Sequence, residues 1–168
     1  MTTKNDLYDY LTHLGVTRGF SVIAEFRAPL PRRRWKAIDL VWAKRRPTRP
    51  QVRSTLEEWR LFAAFEIEGS NVRLAPREFR RHLEDFPDVV NLHGEEIQKH
   101  VVLYTSAYDR RWNAKGNRES EIARCTKWAS DSCFRVLDGR LIETYAEELP
   151  FLSSASLKAG RLASLRVP

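Results

Sequence analysis

The sequence predicts an α/β fold, a central mixed sheet of about five strands with helices packed against it. Three observations lead there. Short runs of β-branched and aromatic residues, without internal Pro or Gly, recur along the chain. Stretches with apolar residues at helical spacing precede or separate them. A continuous apolar run at 100–105 follows a helical stretch, so it is expected to be a buried strand reached by a crossover and parallel to its predecessor. At 168 residues with 42% apolar content, one domain over 1–168 with a sizeable core is expected.

Taken in order, Leu7, Tyr10, Leu11 and Leu14 stand at the i, i+3, i+4 and i+7 positions of an amphipathic helix. Thr3 and Asp6 form its capping pair and Gly15 its C-terminal stop. A first strand covers 20–27, with Glu25 interrupting an apolar run. Pro29, Pro31, Arg32, Arg33 and Arg34 make a turn, because the prolines exclude regular structure and the arginines exclude burial. The second strand, 36–43, carries Asp39. A basic loop follows at 44–53 and passes through a short helical turn near 54–60 into the third strand, 61–68, which carries Glu66 and Glu68.

Pro76 then opens a helix with Phe79, Leu83 and Phe86 on its inner stripe. A loop at 91–94 leads to the fourth strand, and in the polar loop after it Tyr108 and Trp112, interleaved with arginines, suit either nucleotide stacking or pinning of the loop to the core, the second being preferred. A second crossover helix at 119–130 precedes a fifth strand at 133–137. Asp138-Gly139 reads as a hairpin turn to a partner strand at 141–145, and a helix or tail begins at 151. His82, His93 and His100 stand at no ligand spacing and read as ordinary surface or edge histidines. Cys125 and Cys133 lack companions for zinc or a disulfide framework, which suits a reduced compartment. No run reaches the length of a membrane span, and the N-terminal residues lack a signal-peptide core, so a cytoplasmic protein with no membrane partner is expected.

The chemistry concentrates in the second and third strands. Strand alternation puts Glu66 and Glu68 on one face about 7 Å apart, and Asp39 joins them if the two strands are neighbours. Gathered carboxylates repel, and each drifts toward its neutral form unless a cation offsets the cost. Oxygen ligands of this kind suit Mg²⁺ or Mn²⁺. Glu25 is either an exposed-face residue or a fourth carboxylate beside the cluster. The formal charge of +7 favours an anionic partner. Arg32, Arg33, Arg34, Lys44, Arg45, Arg46, Arg49 and Arg53 all flank the acidic strands, as a solvated run or as a basic rim that grips phosphates.

With Asp39 on the second strand and Glu66-Ile67-Glu68 on the third, the order of elements resembles the PD-(D/E)XK nuclease superfamily, which has the restriction-endonuclease-like fold. The resemblance spans residues 3 to 137. It implies that Asp39 and Glu66 are metal ligands, that Ile67 offers its backbone carbonyl, and that the function is metal-dependent hydrolysis of DNA phosphodiester bonds. Glu68 stands where the motif has Lys, so its implied role is to bind a second ion or accept the proton of the attacking water. Lys36 or Lys99 would then replace the missing lysine, although parity puts Lys36 on the face opposite Asp39. The resemblance also implies a homodimer, as in enzymes that cut both strands. A second reading is a nuclease-fold protein that binds nucleic acid or a protein without cleaving, and a third is a structural domain whose acids pair with arginines. Replacing Asp39 or Glu66 by Ala is expected to abolish cleavage and leave the fold intact or more stable.

Overall fold

The computed structural model describes residues 3–29, 35–47, 55–68, 91, 94–104, 123, 126–127 and 134–152, without the side chains of 28, 29, 35, 36 and 55. The helices expected from Pro76 and over most of 119–130, the loop carrying Tyr108 and Trp112, both cysteines, His82, His93 and the tail beyond 152 lie outside the described residues. Helix α1 spans Lys4–Thr17, β1 Ser21–Pro29, β2 Trp35–Arg45, α2 Thr55–Glu58, β3 Trp59–Glu68, β4 Gln98–Leu103 and β5 Arg135–Asp138. A 3-10 segment, Gly139–Glu148, follows. The five strands form one mixed sheet in the order β1-β2-β3-β4-β5, so the expected α/β class is observed. β1-β2 and β2-β3 are antiparallel, and β3-β4 and β4-β5 are parallel.

Helix α1 begins as its sequence requires. The Asp6 N–H donates to Thr3 Oγ1 (3.1 Å) and the Thr3 N–H donates to Asp6 Oδ2 (2.7 Å), a complete capping box. Leu7 and Leu11 are fully buried and join Leu40, Trp42, Phe65, Ile67, Val102 and Leu137 in the core beneath the helix. The opposite face of the sheet buries Phe26, Ile38, Val41, Ala43, Leu61, Ala64 and Val101. Gly15 is not the stop, since the helix runs on to Thr17. A Cβ at Gly15 would lie 2.5 Å from Trp42 Nε1 and 2.7 Å from Val22 Cγ2, so the glycine is there to let the helix close on β2.

The expected Asp138-Gly139 hairpin is replaced by the 3-10 segment. Asp138 sits at φ −80° and its side chain accepts the Arg140 N–H, which starts the segment. A Cβ at Gly139 would come 2.8 Å from the Leu103 carbonyl oxygen and 2.9 Å from Leu7 Cδ1, so close approach and not a left-handed turn selects the glycine. The expected loop at 44–53 begins later, because Lys44 and Arg45 still pair with Arg60 and Trp59 in β2-β3.

Gly15→Ala is expected to destabilise the fold by about 1–3 kcal/mol, because Trp42 is held by its own Nε1–H bond to the Leu11 carbonyl (3.1 Å) and cannot yield freely. Thermal denaturation followed by Trp fluorescence measures the loss.

Candidate functional site

The site grows from a break in strand pairing. β2 and β3 pair from Arg45↔Trp59 to Leu40↔Phe65. Beyond that point β2 continues along β1, from Ile38↔Phe26 to Trp35↔Pro29, and β3 continues along β4, from Glu66↔Val101 to Glu68↔Leu103. The two strands part, with Asp39 at the vertex. Parting leaves the Ile67 N–H without its ladder acceptor, and Asp39 Oδ2 takes that role at 2.7 Å.

Alternation breaks here on both β1 and β2. Ile23 and Phe26 pack on the same core face though three residues apart, and so do Ile38 and Val41. Glu25, opposite Asp39 in the β1-β2 register, has φ +48°, a left-handed conformation that costs a non-glycine residue on the order of 1 kcal/mol or more. Face parity therefore does not carry across residue 39. Glu66 and Glu68 alternate with Phe65 and Ile67, and so lie on the face away from α1, whereas Asp39 is engaged from the α1 side. The structure brings Asp39 to the Ile67 backbone between the two glutamates instead of placing it beside them on one face.

Helix α1 supplies the partners. Lys4 Nζ lies 3.1 Å from Asp39 Oδ1 and 3.3 Å from Oδ2, and the Tyr8 hydroxyl donates to the Asp39 carbonyl at 3.0 Å. Burial lowers the Lys4 pKa, but Asp39, Tyr104 and Glu68 outweigh it and hold the ammonium above its ordinary value. Burial raises the Tyr8 pKa, and Asp39, Glu25 and Glu66 push it further the same way, so the phenol stays a donor. Asp39 and Glu68 are thus within electrostatic reach of Lys4, and Asp39, Glu25 and Glu66 within reach of Tyr8. Glu66 is 4% exposed. Among the described residues, no three His, Cys, Asp or Glu side chains are gathered on a single point for a metal ion.

Lys99 is buried on β4, opposite Ala64 and on the same face as Glu66 by alternation. Lys36 pairs through its backbone with Ala28, and its side chain is outside those described. Of the basic rim, Arg32, Arg33, Arg34, Arg49 and Arg53 lie outside the described residues. Arg46 is committed to the fold: its guanidinium forks onto Glu95 at 2.9 and 2.7 Å and donates to the Leu56 carbonyl. Arg45, mostly exposed, pairs with Glu58 at 3.2 Å, a contact that solvent weakens, and Lys44 is half-buried.

Two buried polar residues were not foreseen. Asn91, read as loop, accepts the Leu61 N–H at 2.8 Å and donates to the Leu61 carbonyl at 2.7 Å, continuing the ladder of β3 with a side chain. His100 is 2% exposed, not a surface histidine. It stacks on Phe65 with ring centroids 5.2 Å apart, and neither ring nitrogen has a hydrogen-bond partner in the described structure. Burial, with the nearby Arg135 cation, lowers its pKa to about 4. No helix among the described residues is long and apolar enough to cross a membrane. Comparison of the chain with family models, curated proteins and solved structures finds no match.

The contact between Asp39 and Ile67 reverses the expectation that Asp39→Ala leaves stability unchanged or improved. Asp39→Ala is expected to cost about 1–3 kcal/mol, because it strips the acceptor from a buried N–H, and Asp39→Asn less, because its amide oxygen still accepts. Urea denaturation of both variants checks the order.

His100 also sets a pH dependence. Its folded pKa lies below the unfolded one, so between pH 4 and 6.5 the unfolded chain binds the extra proton. The stability is therefore complete above pH 6.5 and is lost as pH falls toward 4, by on the order of 3 kcal/mol. In His100→Phe, denaturation midpoints compared at pH 7 and pH 4.5 are expected to lack this share of the fall.

Proposed function

We propose that the chain is a metal-dependent endonuclease that hydrolyses DNA phosphodiester bonds on a restriction-endonuclease-like core. One observation carries this reading: Asp39 is fixed at the vertex where β2 and β3 part, on the backbone of the Glu66-Ile67-Glu68 segment. A parted pair of strands gives a phosphate backbone access that a continuous ladder would deny it.

The fit to a divalent ion rests on the donor set. The Asp39 carboxylate already draws a cation, the Lys4 ammonium, between its two oxygens, and Glu66, one residue before Ile67 on β3, adds a second, buried carboxylate. Asp39, Glu66 and the Ile67 carbonyl would hold Mg²⁺ or Mn²⁺. Such an ion supplies a lowered pKa for its bound water and neutralises charge building on the scissile phosphate. The protein's own residues do the rest. The Ile67 N–H orients Asp39, Glu68 accepts the proton of the attacking water, and Lys99, on Glu66's face, replaces the motif lysine near the phosphate. Lys44 and Arg45, together with the net charge of +7, favour DNA as the anionic substrate. Two copies would cut both strands.

A second reading is favoured by a specific contact. Lys4 on Asp39 and Glu68 in place of the motif lysine also suit a nuclease-fold protein that binds nucleic acid, or a protein partner, without cleaving.

Supercoiled plasmid incubated with the protein in Mg²⁺ or Mn²⁺ decides between them. Under the first reading it is nicked or linearised, and Asp39→Asn and Glu66→Gln each slow this at least about 100-fold while melting stays cooperative. Retarded but intact plasmid in both ions supports the second reading, and cleavage unchanged in both variants removes these residues from the site.

A further inference from the structure

The cation on Asp39 comes from an unexpected place. Lys4 is the first residue of α1, where the partial positive charge of the helix terminus favours acids and disfavours an ammonium. Its position is held instead by Asp39, by Glu68 and Tyr104 within electrostatic reach, and by the Tyr8 ring, whose centroid lies 5.6 Å from Nζ.

The two partners are unequally anchored. Asp39 sits 14% exposed with Oδ2 fixed by the Ile67 N–H, so the carboxylate keeps its aim when the lysine leaves. Lys4 is 40% exposed on a four-carbon stem, and its ammonium can reach water by rotation about its own bonds. A detachable cation thus rests across both oxygens of a fixed carboxylate.

We propose that Lys4 is a displaceable placeholder whose ammonium covers the Asp39 carboxylate in the resting protein and must swing off it before a divalent ion can bind. This rests on the reading of Asp39 as a metal ligand. An ammonium resting on both oxygens repels a divalent ion approaching them, so the affinity for metal is set by the equilibrium between covered and uncovered carboxylate. A pair closed nine-tenths of the time weakens metal binding about tenfold. The device keeps an acidic gap neutralised between turnovers and makes metal entry, not fold stability, the step that Lys4 governs.

Calorimetric titration of the full-length protein with Mn²⁺, without DNA, tests this. Lys4→Met keeps the stem and removes the charge, and it is expected to bind Mn²⁺ about tenfold more tightly than the parent chain. Lys4→Gln should follow it in direction, and Lys4→Arg should stay near the parent. Asp39→Asn should lose most of the binding. An affinity within twofold of the parent in both Lys4→Met and Lys4→Gln, with binding still lost in Asp39→Asn, overturns the placeholder and leaves the metal site standing. Binding unaffected by Asp39→Asn, or absent from every form, overturns the metal reading and the placeholder with it.

Discussion

A single charge-assisted hydrogen bond, from the Ile67 N–H to Asp39 Oδ2, lets the sheet open without leaving a backbone group stranded. An antiparallel ladder that ends inside a protein normally abandons a donor, and burial makes that expensive. Here the acceptor that leaves with the β2 backbone is replaced by the β2 side chain at the same place. An ionised acceptor makes a stronger bond than the carbonyl it replaces. The contact therefore meets the backbone's requirement and fixes the direction of a carboxylate in one stroke. The distortion it entails is passed to the neighbouring strand, where Glu25 adopts φ +48° so that β1 can stay paired on both sides of the kink.

Helix α1 makes the distortion permanent. Lys4, Tyr8, Leu11 and Gly15 form one stripe, and each meets β2: Lys4 the Asp39 side chain, Tyr8 the Asp39 carbonyl, Leu11 the Trp42 indole N–H, and Gly15 the Trp42 ring. Trp42 in turn lies in a run of rings, Phe62 on Phe20 on Trp42 on Phe65 on His100, with successive centroids 5.0 to 5.5 Å apart. Packed rings of this kind, two pairs stacked and two tilted, resist sliding, so the register of helix on strand is carried across the sheet from Phe20, just before β1, to β4. His100 is compatible with this position because burial keeps it neutral at ordinary pH.

Among the described residues, the elements were legible in the sequence wherever a period existed. The α1 stripe, the capping pair, the strands around Asp39 and Glu66, and the parallel β3-β4 pair all follow from spacing and turn chemistry. The kink at Glu25 and Asp39 was not, because strand alternation assumes that the next residue faces the other way, and nothing in either residue type announces an exception. Glycines misled for a related reason. As sequence, Gly15 and Gly139 look like backbone punctuation, yet both serve close approach, which depends on partners far away in sequence. Asn91 and His100 looked like solvent residues because polarity is a local property and burial is not. Lys4 was overlooked because a first-turn lysine has no intrinsic reason to turn inward, and its reason lies 35 residues away in Asp39.

That distance gives the exposed capping box a role larger than its own energy. Asp6 and Thr3 are on the surface, and their exchange of hydrogen bonds reads as a modest aid to helix formation. Yet it closes the first turn and so holds Lys4 in helical geometry, while Leu7, Leu11 and Gly15, packed on the sheet, set the phase of the helix. Fraying of that turn would release Lys4 without turning the residues behind it. The ammonium would then be free to leave the Asp39 carboxylate, whereas Tyr8, one turn on, would keep its bond to the Asp39 carbonyl. The charge balance at Asp39 is thus linked to the helix terminus: a surface cap holds the first turn, the first turn presents Lys4, and Lys4 offsets the negative charge of the Asp39 carboxylate.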